Sequence, residues 1–327
     1  MNIDMIEAAA KRLADHARRT PLLSSPFLDE IAGRPVFVKP ECLQHTGSFK
    51  FRGAWSAISA MDPALRARGI IAYSSGNHAQ GIALAATRHG APSVIIMPAD
   101  APKLKIDNTR ALGAEIVLYD RANDDRDAIG DQLAKSRGLT LVKPFDNEFV
   151  IAGQGTTGLE IAEQAKLQGL ENARVLVPCG GGGLTSGIAL ALENHAPDMV
   201  VHPCEPQGFD DVARSLASGK IQRNTSTSGS ICDAIITPQP GDLTFPIMSR
   251  LCGAGIVVTE TQCLQAMKHA FLHLKIVIEP GGAVALATAL FHDSVQGDRI
   301  DNSPVIAVAS GGNVDAEMFT NAMNTDL

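Results

Sequence analysis

The chain has 327 residues, 45% hydrophobic and 19% charged, with a formal net charge of −7 and 4% aromatic residues. Acidity without a dense Lys/Arg cluster excludes a nucleic-acid groove, and so few rings exclude a base-stacking platform. No apolar run reaches membrane length, no signal-peptide core opens the chain, and six scattered cysteines without C-x-x-C spacing read as reduced thiols, so a cytoplasmic globule is expected.

Ile6, Ala9, Leu13 and Ala17 fall on one stripe and predict a helix over 4–17, closed by Arg19-Thr20-Pro21. Val36-Phe37-Val38 reads as a short strand. The next stretch runs from His45 to Trp55, with Lys50 in its middle. Ser48 fits an N-cap, and Ala54, Trp55 and Ile58 recur behind it at helical spacing. A lysine at a helix start beside Trp55, Phe49 and Phe51 is partly desolvated, which disfavours the ammonium and favours the nucleophilic amine. Spacing alone leaves a solvated surface charge as the plainer reading.

From about residue 70 strand, tight turn and helix alternate. Ile70–Tyr73, 94–97, 116–119, 141–142, 175–177, 199–201, 256–258 and 305–308 are apolar strands, each beside a helical segment. Continuous apolar strands alternating with helices predict an α/β fold with parallel sheets covered on both faces. No linker, repeat or low-complexity tract divides the chain; residues 224–230, a seven-residue polar loop, come nearest to one.

Three strand ends carry glycine and polar groups together. Pro178-Cys179-Gly180-Gly181-Gly182-Gly183-Leu184-Thr185 leaves a strand and opens a helix, so its N–H groups suit a phosphate, with a packing turn as the alternative. It is neither a Walker loop nor a clean dinucleotide fingerprint. Ser74-Ser75-Gly76-Asn77-His78 is a second such turn, able to receive a carboxylate or to serve only as a capped turn. Ser310-Gly311-Gly312-Asn313 ends the last strand. Ligands gather outside the carboxyl ends of strands in such sheets, so one shared cleft is expected.

Taken in this order, the Lys50 segment, Ser75-Gly76-Asn77-His78, the tetraglycine and Ser310-Gly311-Gly312-Asn313 resemble fold type II pyridoxal-phosphate enzymes, in particular the threonine/serine dehydratase and serine racemase group. The likeness covers nearly the whole chain, including Ile151–Thr156 and Glu279-Pro280. It implies a large cofactor domain (1–65 and 148–327), a small domain (66–147), and α,β-elimination from serine, threonine or 3-hydroxyaspartate to a keto acid and ammonia. It further implies that Lys50 binds pyridoxal 5'-phosphate and removes the α-proton, and that Phe49 lies against the ring. Asn77 would bond the 3-hydroxyl, Gly180, Gly181, Gly182 and Gly183 the phosphate, and Ser310 the pyridine nitrogen. The loop Ser74, Ser75, Gly76, Asn77 and His78 would receive the substrate carboxylate. A neutral Ser310 makes the ring a weaker electron sink than a carboxylate partner would, favouring elimination over transamination.

Ser75 stands where racemases of the group carry serine, so an amino-acid racemase with secondary dehydratase activity is the alternative. Glu205, the Phe209 carbonyl and Asp211 match the group's divalent-cation site and suit Mg²⁺ or Ca²⁺, although Phe209 replaces a usual alanine. The chain ends shortly after Ser310, which with the resemblance suggests a catabolic enzyme, and a homodimer is implied by the same relatives. Lys39, Lys103 and Lys105 rival Lys50 without comparable context. His269 and His273 lack the glutamate of a zinc helix. A second substrate carboxylate would want an arginine, and sequence places none of Arg52, Arg110 or Arg126 in the pocket.

Overall fold

The computed structural model describes all residues except Ser75, Pro102, Arg121, Ala122, Thr227 and 293–302. Among the described residues ten strands form two sheets. They are β1 (Leu23–Ser24), β2 (Val36–Pro40), β3 (Ile70–Tyr73), β4 (Ser93–Pro98), β5 (Glu115–Tyr119), β6 (Thr140–Leu141), β7 (Arg174–Pro178), β8 (Val200–Pro206), β9 (Ile256–Val258) and β10 (Val305–Ala309). One sheet runs β1-β2-β10-β7-β8-β9, the other β5-β4-β3-β6. Every pairing is parallel except β1 with β2. The α/β class with parallel sheets flanked by helices is therefore observed. Buried strands such as β10, every residue of which is enclosed, need apolar side chains on both faces.

Between the sheets lie the helices that position the chemistry. Glu148–Leu167, capped by the Asn147 carboxamide oxygen accepting from the Phe149 and Val150 N–H groups, packs on Lys50–Ala60 and on Gly183–His195. Glycine makes the approach possible. A Cβ on Gly153 would sit 2.4 Å from the Arg52 carbonyl oxygen, and one on Gly187 2.6 Å from the Gly155 nitrogen. Alanine at either position would push two backbones apart.

Two local expectations are corrected. The first helix spans Ile3–Leu13 and closes before residue 17, with the His16 and Ala17 N–H groups both on the Leu13 carbonyl. Ser48 does not cap the helix Lys50–Ala60, which has Phe49 as its flanking residue and no side-chain cap. The chain there is pinned to the end of β10 instead: Ser48 bridges Gly311, and the Phe49 N–H donates to the Ser310 carbonyl at 3.1 Å.

A candidate active site in the cleft between the sheets

The carboxyl ends of β3 and β7 and the start of the Lys50 helix open on one cavity of about 200 Å³. Phe49, Lys50, Ser74, Gly76, Asn77, His78 and the four glycines 180–183 all line it. Residues distant in sequence thus converge as expected for strand ends in such sheets. Ser310 does not line the cavity; it lies buried behind Phe49, whose backbone it holds. Ser75 lies outside the described residues.

Lys50 is the first residue of its helix, and its Nζ donates to the Pro144 carbonyl at 2.9 Å, 5.1 Å from the centre of the Phe49 ring. None of the described residues forms an ion pair with it. Burial without a counter-charge therefore pulls the amine down to about 8. Beside it, His78 Nε2 meets the Val142 carbonyl at 2.9 Å, which requires the proton on Nε2. Burial first and Lys50 second drive His78 down to about 3, so the imidazole is neutral and cannot serve as an acid at ordinary pH.

The tetraglycine forms a cradle that side chains would fill. A Cβ would meet the Ile235 carbonyl at 2.8 Å from Gly180, the Phe145 ring from Gly181, and Gln154 at 2.6 Å from Gly183. Gly182 has φ +90°, a conformation glycine adopts without strain. The helix Gly183–His195 begins here with no side-chain cap, leaving its first N–H groups for an anion. Thr185, in its first turn, lines the cavity with a buried hydroxyl that finds no close oxygen or nitrogen partner among the described residues. The group best suited to these donors is a phosphate, and an aldehyde on the same molecule would face Lys50. Pyridoxal phosphate fits the residues present. Thr185 was not singled out by sequence reasoning, although its place one turn after the glycines carried the signal.

Other residues enter that sequence left without context. Lys105, on the helix Lys103–Ala111, lines the cavity and pairs with Asp233 at 2.9 Å, from the four-stranded-sheet side to the loop 231–237. Glu279 also lines it; burial raises this carboxyl to about 7, with the Asn77 hydrogen bond opposing. The remaining lysine candidates lie elsewhere: Lys39 is wholly buried against Glu160, and Lys103 pairs with Asp107 on the surface. Arg52 goes to a buried ion cluster and Arg110 to Asp107, whereas Arg126 stands 5.2 Å from the ring of Tyr73, which lines both the cavity and a neighbouring space. Arg126 lines that adjoining space, of about 640 Å³, with Lys143 and Arg223.

Glu205 and Asp211 stand apart from this cavity, at the end of β8. Glu205 is fully buried and accepts from the Val212 and Ala213 N–H groups, and Asp211 keeps a buried oxygen without a partner among the described residues. Burial and mutual repulsion push Glu205 well above the usual carboxylate range, and burial lifts Asp211 to about 6. No cluster of three or more His, Cys, Asp or Glu arranged for a metal occurs among the described residues, so a cation here would also need carbonyl or water oxygens. None of the described helices is long and apolar enough to cross a membrane.

Comparison with known proteins returns one consistent picture. A family model described as pyridoxal-phosphate dependent enzyme matches residues 13–311. The chain is 40% identical to an L-threo-3-hydroxyaspartate ammonia-lyase from a Pseudomonas species, covering 98% of this chain and 97% of that one. It is 39% identical to a serine racemase of Oryza sativa subsp. indica, over 96% and 91% of the two chains. Among solved structures, maize serine racemase superimposes with a TM-score of 0.92 at 37% identity, over 98% and 96% of the chains.

Proposed function

Since this chain belongs to the pyridoxal-phosphate dependent enzymes of fold type II, we propose that it is an ammonia-lyase acting on a small 3-hydroxy amino acid, with 3-hydroxyaspartate preferred over serine and threonine. The observation that carries the reading is Lys50: a buried amine without a counter-ion, facing the glycine cradle across one cavity. Arg126, Lys143 and Arg223, which line the adjoining space together with Asp131, Asp146 and Asp242, offer donors to a second carboxylate, which serine and threonine lack. The 40% identical relative carries the hydroxyaspartate activity in its name.

Lys50 would hold the cofactor aldehyde, Gly180–Gly183 and Thr185 its phosphate and Asn77 its ring hydroxyl. When bound, pyridoxal phosphate supplies an electron sink for the electrons of the breaking Cα–H bond. The first-turn N–H groups of the helix Asn77–Arg88, with Ser74 and Ser75, bind the substrate α-carboxylate and orient the Cα–H bond. Lys50, neutral near pH 8, takes the α-proton. The β-hydroxyl then leaves as water with the proton that Lys50 took. The enamine so formed gains a proton at its β-carbon to become an imine, and hydrolysis of that C=N bond takes up one water and gives a 2-oxo acid and ammonia. Residues 66–147 form the small domain that carries the substrate loop, and 1–65 with 148–327 the large one.

A divalent cation held by Glu205, the Phe209 carbonyl and Asp211 belongs to the same proposal, since the unpartnered Asp211 oxygen and the two repelling carboxyls suit a positive charge. It would brace the segment after β8. Chelation should lower the melting temperature, and Mg²⁺ or Ca²⁺ should restore it; an unchanged melting curve removes the cation from the account. We further propose a cytoplasmic homodimer: the six free cysteines suit the compartment, and the dimer is what the resemblance implies; size-exclusion chromatography with light scattering checks the dimer.

The test of the function is 2-oxo acid release from L-serine, L-threonine, D-serine and the hydroxyaspartate diastereomers, with Arg126→Met beside the wild type. A hydroxyaspartate preference that Arg126→Met reduces supports the assignment; no release from any of them ends it. Racemisation is the second reading, favoured by the serine racemase relatives and by Ser75. Ser75→Ala should abolish D/L interconversion while leaving elimination measurable.

A further inference from the structure

Glu279 is a buried acid that the elimination just described does not use. It occupies the N-cap position of the helix Pro280–Phe291, where an acid ordinarily accepts from the helix N–H groups, yet it makes no cap bond. Its side chain turns instead into the cavity, where Oε1 accepts from Asn77 Nδ2 at 2.6 Å. The backbone is shaped around this contact. A Cβ on Gly311 would lie 2.0 Å from Glu279 Oε1 and 3.0 Å from Asn77 Nδ2, and the Glu279 N–H is itself tied to the Gly311 carbonyl at 3.0 Å.

Asn77 is held from its other side as well. Its Oδ1 accepts from Asn313 Nδ2 at 2.7 Å, and Asn313 in turn donates to the Thr46 carbonyl at 2.8 Å. An amide has one carbonyl oxygen and two N–H donors. With Asn313 on the oxygen and Glu279 on one N–H, the amide cannot flip without placing its oxygen against a carboxylate. The second N–H is left on a residue that lines the same cavity as Lys50.

We propose that Glu279 is the positioning residue that fixes the rotamer and amide orientation of Asn77, so that its remaining N–H is presented to the ring hydroxyl of the cofactor. The inference rests on the cofactor reading above. Removing the acceptor frees the amide to rotate, and the loss is felt at the cofactor rather than in the fold. Asp233 and Lys105 are the charged groups nearest in influence, of opposite sign and paired with each other, so they do not substitute for the acceptor.

The experiment is a double-mutant cycle on the purified holoenzyme, read by the dissociation constant of pyridoxal phosphate and the position of its visible band. Glu279→Ala should weaken cofactor binding about tenfold, the order of one lost ordering hydrogen bond, and should move the band in the same direction as Asn77→Ala. The double variant should be no worse than Asn77→Ala alone, because both act through one contact. Glu279→Gln keeps an acceptor oxygen and should recover most of the affinity. Glu279→Leu fills the space without an acceptor and gives the same comparison if the alanine variant does not fold. An unmoved band and affinity in Glu279→Ala, or additive losses in the double variant, overturn the assignment. A wild-type chain whose bound cofactor shows no borohydride-bleachable band overturns the cofactor reading instead, and is told apart by needing no variant.

Discussion

Lys39 and Lys50 are both withdrawn from bulk water, and the protein treats them in opposite ways. Lys39 spends all three of its protons, on Glu160 at 2.6 Å, the Thr20 carbonyl at 2.6 Å and Gln164 at 3.0 Å. It belongs to a buried cluster in which Arg52, 1% exposed, reaches Glu41 and Glu160 at 2.7 Å each, and Glu41 also accepts from the Thr20 hydroxyl. Lys50 has a single carbonyl and no carboxylate among the described residues. Burial lowers both amines, but at Lys39 the attraction of Glu160 and Glu41 opposes it, whereas at Lys50 burial acts alone. The reactivity proposed for Lys50 therefore rests on the missing counter-charge, since burial is common to both. The two sites also share a helix: Arg52 anchors to the ion cluster the same turn that presents Lys50 to the cavity.

The largest effect that would sharpen this contrast is at the reactive amine. Lys50→Ala should lower 2-oxo acid release about 10³-fold or more, with little change in the urea midpoint because no ion pair is broken. Arg52→Met should do the reverse. It removes the cation that hydrogen-bonds the fully buried Glu41, leaving only the longer-range attraction of Lys39, and equilibrium unfolding should show a loss of about 3–5 kcal/mol.

A pH series separates the amines directly. The nucleophile is the deprotonated amine, so addition of pyridoxal phosphate to cofactor-free protein should speed up as pH rises through about 8 and level off above it. A rate still climbing past pH 10 would mean an ordinary lysine and break the comparison. Borohydride trapping followed by peptide mapping should label Lys50 and leave Lys39 clean. The smallest effect belongs to the ion pair between Lys105 and exposed Asp233. Lys105→Ala should cost about 0.2–1 kcal/mol of stability, measured by denaturant unfolding.

Much of the site was legible because it is written in contiguous motifs. Lys50, Asn77 and the glycines lie in strand-to-helix turns whose chemistry is local, and the rule that ligands sit at the carboxyl ends of strands brings them together without coordinates. Ser48 was misread for a local reason: serine before a helix suits a cap, but pairing with Gly311 decided its conformation. Arg126 lies in a segment whose polar composition gives no hint of where it points. Glu279 occupies the N-cap position of its helix, and only its hydrogen bond from Asn77 shows that its side chain turns the other way.

Sequence by itself determined the α/β class and the parallel strands, and marked Lys50 and the four glycines as candidates, because hydrophobic period and glycine turns act over a few residues. Tertiary structure alone decided which lysine lacks a counter-ion, which acid faces Asn77 and where Arg126, Lys143 and Arg223 stand. Those properties depend on charges brought together from far apart in the chain, where burial weakens solvent screening and makes each partner, present or missing, count.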